Sequence, residues 1–275
     1  MVAYDVMMKS KDFKVFLDFM DSKDATYHMN FDKYMSISVQ CIANDGRYIG
    51  ELIRSSVHKL KYTCIKPVRI SFDSKMKDSL RKSSSRIDVV TITGPSVVFG
   101  EDQYTVESRY VNEPLPPIVD DSMERVQEMT LSRDEFERVV NILHREKIEA
   151  ARLHFNTKSR MLEVSVYTKS LSPWSFGISA SDVRLLGERL DVFLAQEEHP
   201  TPQVMNQIYD VEDLLSTIKA MKYHYGRHIM FSLSLLQDER LLFESGNEDG
   251  TLTQRCILRT SHLVGNVTGN ATFSC

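Results

Sequence analysis

The sequence predicts a duplicated α+β fold, two antiparallel sheet systems that each carry two helices. Three observations predict it. Residues 2–20 (VAYDVMMKSKDFKVFLDFM) and 125–143 (RVQEMTLSRDEFERVVNIL) share one pattern: an apolar strand, a Ser-Lys/Arg-Asp helix start and an amphipathic helix. Residues 67–99 and 204–244 then repeat a second block, strand, helix, strand, strand, in the same order. Recurrence of a supersecondary block marks a duplicated domain. A length of 275 residues with 42% hydrophobic content suits two domains with modest cores.

In the first half, a helix from Ser10 to about Met20 puts Phe13, Phe16, Leu17 and Met20 on one stripe, with Ser10 in the cap position. Alternating strands follow at Thr26–Phe31, Met35–Ile42, Arg47–Ser55 and Pro67–Asp73, joined in part by the turn signals DK and NDG. A short helix, Ser74 to about Ser84, has Met76 and Leu80 to bury. Strands Ile87–Thr93, Pro95–Gly100 and Gln103–Val111 complete the half.

In the second half, Ser132 caps a helix with Phe136, Val139, Val140 and Leu143 on one face, followed by strands Ala151–Asn156, Met161–Tyr167 and Trp174–Ala180. An insertion covers roughly Asp182–Pro202. A strand, a helix bearing Leu214, Leu215, Ile218 and Met221, two strands joined by QDE and a last strand after NEDG close the repeat. The organisation expected is domain 1 over 1–111, an acidic, proline-rich connector over 112–124 (NEPLPPIVDDSME), domain 2 over 125–260 and a tail over 261–275.

A net charge of −4 and a pI near 6.1 argue against a globally basic nucleic-acid binder. The average hides a segregation. Lys9, Lys11 and Lys14 lie on the first helix, Lys75, Lys77, Arg81, Lys82 and Arg86 on or beside the second. Arg133, Arg138, Arg145 and Lys147 mark the third, and Lys219, Lys222 and Arg227 the fourth. Acidic residues gather in the connector and turns, although Asp12, Asp18, Asp78, Glu135 and Glu137 dilute the helices. Helices on one side of their sheets would make that side positive, able to attract phosphates without reading bases. Any single such helix is ordinarily just a solvated face.

Other function classes find little support. There is no P-loop, GxGxxG, GxSxG or HExxH. Cys41, Cys64, Cys256 and Cys275 have no CxxC spacing and read as reduced thiols of an intracellular protein, and no metal or other cofactor is expected. His224 and His228 stand four apart without accompanying ligands and read as surface residues. No stretch reaches membrane-span length, and the N-terminus carries no apolar signal core, so no membrane association is expected. Asn266 and Asn270 match the glycosylation pattern, which without a secretory signal is read as chance.

The order of elements, twice over with an acidic connector, resembles the eukaryotic and archaeal DNA sliding clamps, proliferating cell nuclear antigen (PCNA) and the checkpoint 9-1-1 clamp. The resemblance spans about residues 2–260 and is sharpened by KVFL (Lys14–Leu17), MKDSLRK (Met76–Lys82), EFERV (Glu135–Val139), TIKA (Thr217–Ala220) and EDGTL (Glu248–Leu252). It implies a non-enzymatic nuclear protein whose helices line a channel around duplex DNA, in a trimeric ring with two further clamp subunits. An ATP-dependent loader would close that ring, and replication, repair or checkpoint clients would dock on it. Lys11, Lys14, Lys77, Arg81, Lys82, Arg138, Lys219 and Lys222 are the implied channel residues.

Ring closure is expected to pair the edge strand Gln103–Val111, through Tyr104 and Val106, with a neighbour's Trp174–Ala180, through Trp174, Phe176 and Ile178. Ile42, Leu115, Ile118 and Val119 are the expected partner-peptide pocket. Departures in the connector, in the last strand (Arg255 in TQRCILRT) and in the tail favour a heterotrimeric checkpoint subunit over a homotrimeric processivity factor, divergent or viral. A β-rich peptide-binding module without a DNA role is the remaining alternative.

Overall fold

The computed structural model describes residues 4–19, 25–34, 36–43, 48–54, 59–111, 118–119, 123–156, 159–166, 175–185, 206–221, 230–246 and 252–261. The first half contains β1 (Tyr4–Lys9), α1 (Ser10–Asp18), β2 (Ala25–Phe31), β3 (Ile37–Ala43), β4 (Tyr48–Arg54), β5 (Lys59–Cys64) and β6 (Val68–Asp73). It continues with α2 (Ser74–Ser84), β7 (Val89–Thr93), β8 (Ser96–Phe99), β9 (Asp102–Thr105) and β10 (Glu107–Tyr110). The second half contains β11 (Arg125–Ser132), α3 (Arg133–Arg145), β12 (Ala150–Asn156), β13 (Met161–Val166), β14 (Ser175–Leu185) and β15 (Asn206–Asp210). It ends with α4 (Val211–Ala220), β16 (Met230–Leu236), β17 (Leu241–Gly246) and β18 (Leu252–Leu258).

The duplication is visible in the strand pairings. The strand after the first helix pairs with its successor and with the strand before the second helix: β2 with β3 and β6, β12 with β13 and β15, all antiparallel. The first strand pairs with the strand after the second helix, β1 with β7 and β11 with β16. The halves differ at the other edge of that first strand. β1 takes β5 there, whereas β11 takes the far end of an eleven-residue β14. The fold class is thus α+β, antiparallel sheets with two helices per repeat, as the sequence predicts.

By contacts the chain forms two compact units. The first is Met1–Asp120 with Ala220–Tyr225 and Glu244–Cys256, and the second is the remainder. In the first, β5-β1-β7-β8-β9 form one sheet, while β10-β6-β2-β3-β4 run in order beside β18. Phe13, Phe16 and Leu17 of α1 are at most 1% exposed, Phe13 meets Phe99 at 5.8 Å, and Tyr27 stacks on Phe72 at 5.7 Å. In the second unit Phe136 of α3 packs edge-on against Phe231 (5.5 Å) and Phe243 (6.0 Å). Each such buried ring contributes about 1.5–3 kcal/mol by removal from water.

Several local expectations are corrected. Ser10 is the first helical residue, with Lys9 in the cap position making no side-chain cap bond. Ser132 occupies the cap of α3 without a side-chain cap bond either. Asp73 is the side chain that caps, accepting from the Met76 N–H at 2.8 Å. Met76 is only half-buried, and α2 instead buries Lys77, Leu80, Ser83 and Ser84.

The strand expected over Gln103–Val111 is two strands. β9 belongs to one sheet and β10 to the other, and the break falls at Val106, 5% exposed, whose N–H donates to the Pro95 carbonyl at 2.8 Å. β14 runs on through Leu185, so residues 182–185 are sheet rather than insertion. The rest of the insertion, Met20, the NDG turn, Trp174, Lys222 and the tail beyond 261 lie outside the described residues.

β5 is an element the sequence reading passed over. The half-buried Tyr62 and Cys64 alternate with the exposed Lys61 and Thr63, the period of a strand with one face against the protein, while Leu60, 46% exposed, falls at the register shift between β1 and β5. The strand's charge and exposure mask that signal.

Cys41 and Cys256 are fully buried and Cys64 is half-exposed. Burial pushes the Cys41 thiol up to about 12 and that of Cys64 above the ordinary range. Since the thiolate is the reactive form, brief alkylation of the native chain is expected to label Cys64 and spare Cys41 and Cys256 in peptide mapping. Equal labelling of Cys41 would mean that the first unit's sheet opens readily.

Candidate nucleic-acid interface

In each unit an arginine links the two helices. In the first, Arg81 of α2 approaches Asp18 of α1 at 2.8 Å, and Lys14, one turn before, pairs with the same carboxylate. In the second, Arg133 at the start of α3 donates to the Ile218 carbonyl of α4 at 3.3 Å and to Glu137 at 2.6 Å. Arg133 is only 8% exposed, so the charge that the sequence put on the solvated face of α3 is a strut between helices.

The expected channel residues divide accordingly. Lys11, Lys82, Arg138 and Lys219 are exposed, and none has an ion-pair or hydrogen-bond partner for its side chain among the described residues. Lys14 and Arg81 are partly exposed but share Asp18. Lys77 is not a surface cation at all. It is 2% exposed and lies against the sheet, with Nζ 5.1 Å from the centre of the Tyr27 ring. The aromatic face offsets part of the cost of burying the ammonium. Helical period put Lys77 among its charged neighbours; what turned it inward is its place opposite Tyr27 of β2. Lys222 lies outside the described residues.

Asp18 therefore decides how much positive potential the first unit presents. Substitution Asp18→Asn is expected to release Lys14 and Arg81 and to tighten binding to duplex DNA. The salt dependence would steepen by up to about 2 in log–log slope, roughly 0.9 for each further phosphate neutralised. Fluorescence anisotropy across a salt series measures this, and an unchanged slope would mean the two cations already reach phosphates.

The edge residues are only partly where the sequence reading put them. Val106 and Ile178, the latter 1% exposed, are turned into their own units and are withdrawn as interface contacts. Tyr104 is half-buried, its hydroxyl 2.6 Å from Ser83 Oγ and its ring edge-on to Phe99, which ties β9 to α2. Phe176 is half-buried. Gly177 stands in β14 opposite Glu163, where a Cβ would meet Met161 Cε at 2.3 Å. The glycine makes room for Met161 rather than leaving the strand unpacked. Among the described residues β5, β9, β10 and β15 each pair on one side only, and of these β10 carries Tyr110 at 55% exposure.

The expected partner-peptide pocket has acquired charge. Ile42, Ile118 and Val119 are half-buried, and Leu115 lies outside the described residues. On the same face of the sheet as Ile42, the Glu51 carboxylate is 3% exposed, accepts from Gln40 Nε2 at 2.9 Å and from the Ile118 N–H, and lies 3.8 Å from Arg255. Arg255 also pairs with Glu244 at 3.2 Å. Desolvation holds the Glu51 carboxyl above the usual carboxylate range against the hydrogen bond from Gln40 and the Arg255 charge. Sequence reasoning missed Glu51, since a lone glutamate in YIGELIR reads as the wet side of a strand.

Among the described residues no cluster of His, Cys, Asp or Glu has the makings of a metal site, and no helix is long and apolar enough to cross a membrane.

The fold defined by these units is that of the DNA sliding clamps. Over 94% of this chain and 98% of the other, it is similar to the A. fulgidus PCNA solved with the C-terminal region of FEN-1, with a TM-score of 0.63 and 13% identity. It is equally similar, TM-score 0.63, to PCNA from Entamoeba histolytica (12% identity, 95% and 100% covered) and from Thermococcus kodakaraensis (11%, 94% and 100%). No protein-family profile matches the sequence, and no curated protein matches it either. The likeness lies in the fold.

Proposed function

We propose that this chain is a non-enzymatic subunit of a ring-shaped sliding clamp that encircles duplex DNA and recruits replication, repair or checkpoint factors. The observation that carries the reading is the clamp fold along nearly the whole chain, with Lys11, Lys82, Arg138 and Lys219 exposed on its helices and unpaired among the described residues. Cations on helices suit sequence-independent attraction to phosphates, and an overall net charge of −4 leaves little to hold the protein on DNA elsewhere. The test is topological. When loaded by an ATP-dependent loader, the assembled ring is retained on nicked circles and runs off linear duplex, whereas a peptide-binding module shows no such difference.

Within that reading we favour a heterotrimeric, nuclear checkpoint-type subunit. The buried Glu51 and the Arg255–Glu244 pair make the face beside the connector more polar than an apolar client groove, and a ring of unlike subunits lets one member lose a groove that another keeps. The edge strand β10 offers a partner only four residues, one of them the exposed Tyr110. The homotrimeric polymerase processivity factor is supported instead by the three PCNA likenesses.

Light scattering separates the two. The chain alone is expected to run at its own 31.7 kDa, and addition of the cognate subunits to shift it into a complex that Tyr110→Glu weakens. A stable species of three times that mass from the chain alone would establish the homotrimer.

A further inference from the structure

A cleft in the first unit takes in Lys11 and extends beyond the exposed helix cations. It has a volume of about 680 Å³ and lies where the start of α1 meets the turn between α2 and β7, lined by Lys9, Ser10, Lys11, Lys14, Leu60, Ser84, Ser85, Arg86, Ile87, Asp88 and Val89. That volume is within the ordinary range of small-ligand sites.

Four of the lining residues are cationic and one, Asp88, is acidic. Lys14 is engaged by Asp18, while Lys9, Lys11 and Arg86 are exposed with no side-chain partner among the described residues. The N-terminus of α1, a nine-residue helix, has no side-chain cap; its Ser10 N–H donates to the Asp88 carbonyl at 2.8 Å, and the aligned peptide dipoles favour an anion beside the N–H groups that follow. Ser10 adds an independent signal. It is 1% exposed, lines the cleft, and its hydroxyl has no hydrogen-bond partner among the described residues. A buried hydroxyl left unsatisfied is destabilising, and an oxygen-rich anion is an acceptor that would satisfy it.

We propose that this cleft binds a phosphomonoester or polyphosphate group, gripped by Lys9, Lys11 and Arg86 with Ser10 Oγ and the first turn of α1 as donors. Leu60, Ile87 and Val89 offer an apolar wall to the organic body that carries the phosphate. The group comes either from the phosphorylated end of a DNA strand or from a small soluble polyphosphate. The assignment does not rest on the clamp reading, because the whole site is within one unit of one chain.

Titration calorimetry of the full chain with inorganic tripolyphosphate at low salt tests it. Saturable binding of one anion per chain is expected, weakened at least about tenfold by Lys9→Glu with Arg86→Glu and about threefold by Ser10→Ala. Arg145→Glu with Lys147→Glu, an equal charge change at exposed positions at the end of α3, should alter it less than about twofold. Absence of saturable binding, or equal loss in this second double variant, overturns the site in favour of diffuse attraction. Thermal unfolding checks each variant, and Arg86→Gln with Ser10→Ala carries the test if the double charge reversal does not fold.

Competition then names the source. A 5′-phosphorylated oligonucleotide that displaces tripolyphosphate better than its 5′-hydroxyl counterpart assigns the group to a strand end, and equal failure of both assigns it to a soluble polyphosphate. Every readout uses the isolated chain, with no loader and no ring assembly, so a failed ring assay and a failed cleft are told apart.

Discussion

Replacing Lys11, Lys82, Arg138 and Lys219 together with glutamate is expected to abolish retention on circular duplex while leaving the fold intact. All four side chains are exposed and take no part in packing, so each change should alter stability by no more than about 0.5 kcal/mol. Their effect on DNA is far larger. Every phosphate left without its cation takes about 0.9 from the salt slope, and the reversed charges repel the backbone as well. Lys14 and Arg81 are left out of this set, because glutamate at either position would face Asp18 across the α1–α2 contact and confound a binding defect with a folding one. Wild-type retention in the quadruple variant would remove the basis of the DNA reading.

Lys77→Glu is expected to unfold or severely destabilise the chain, in contrast to Lys82→Glu five residues along the same helix. Nothing in the local sequence MKDSLRK separates the two lysines. The buried one, however, lies against Tyr27 at 2% exposure, and reversing its charge exchanges a ring attraction for a repulsion in a desolvated site. Leaving an uncompensated charge of that kind buried costs about 3–5 kcal/mol, a large part of the roughly 5–15 kcal/mol that ordinarily holds a domain together. Lys77→Met keeps the volume, removes the charge and should be far milder. Denaturant melts of the three variants measure the order. Equal stability of Lys77→Glu and Lys82→Glu would return Lys77 to the surface, where the sequence reading put it.

Much of the fold was legible because it depends on local periods. The stripe of Phe13, Phe16 and Leu17 and its counterpart Phe136, Val139, Val140 and Leu143 mark the helices through a spacing near 3.6 residues. Period-2 alternation marks β2, β3, β4 and β6, and repetition of the blocks marks the duplication. The cationic character of the helices was legible in the same way, and four exposed residues of the eight expected in the channel came from it.

What the sequence by itself determined is which segments form the helices and most of the strands, which stripe of each helix is apolar, and that the arrangement occurs twice, since each of these is decided by residues a few positions apart. Only the tertiary structure decided which charges remain available. Asp18 is far along the chain from Arg81, and Tyr27 from Lys77; their meetings depend on how α2 lies against α1 and β2. It also decided that the run from Gln103 to Val111 breaks at Val106, because the two pieces join different sheets. Glu51, on an alternating strand, is buried for the same reason: its partners come from Gln40, the connector and the final strand, brought together only once the chain has folded. Charge on a side chain is local information, but its desolvation and pairing are set by neighbours that loop closure brings in, and those set its pKa and its availability to a ligand.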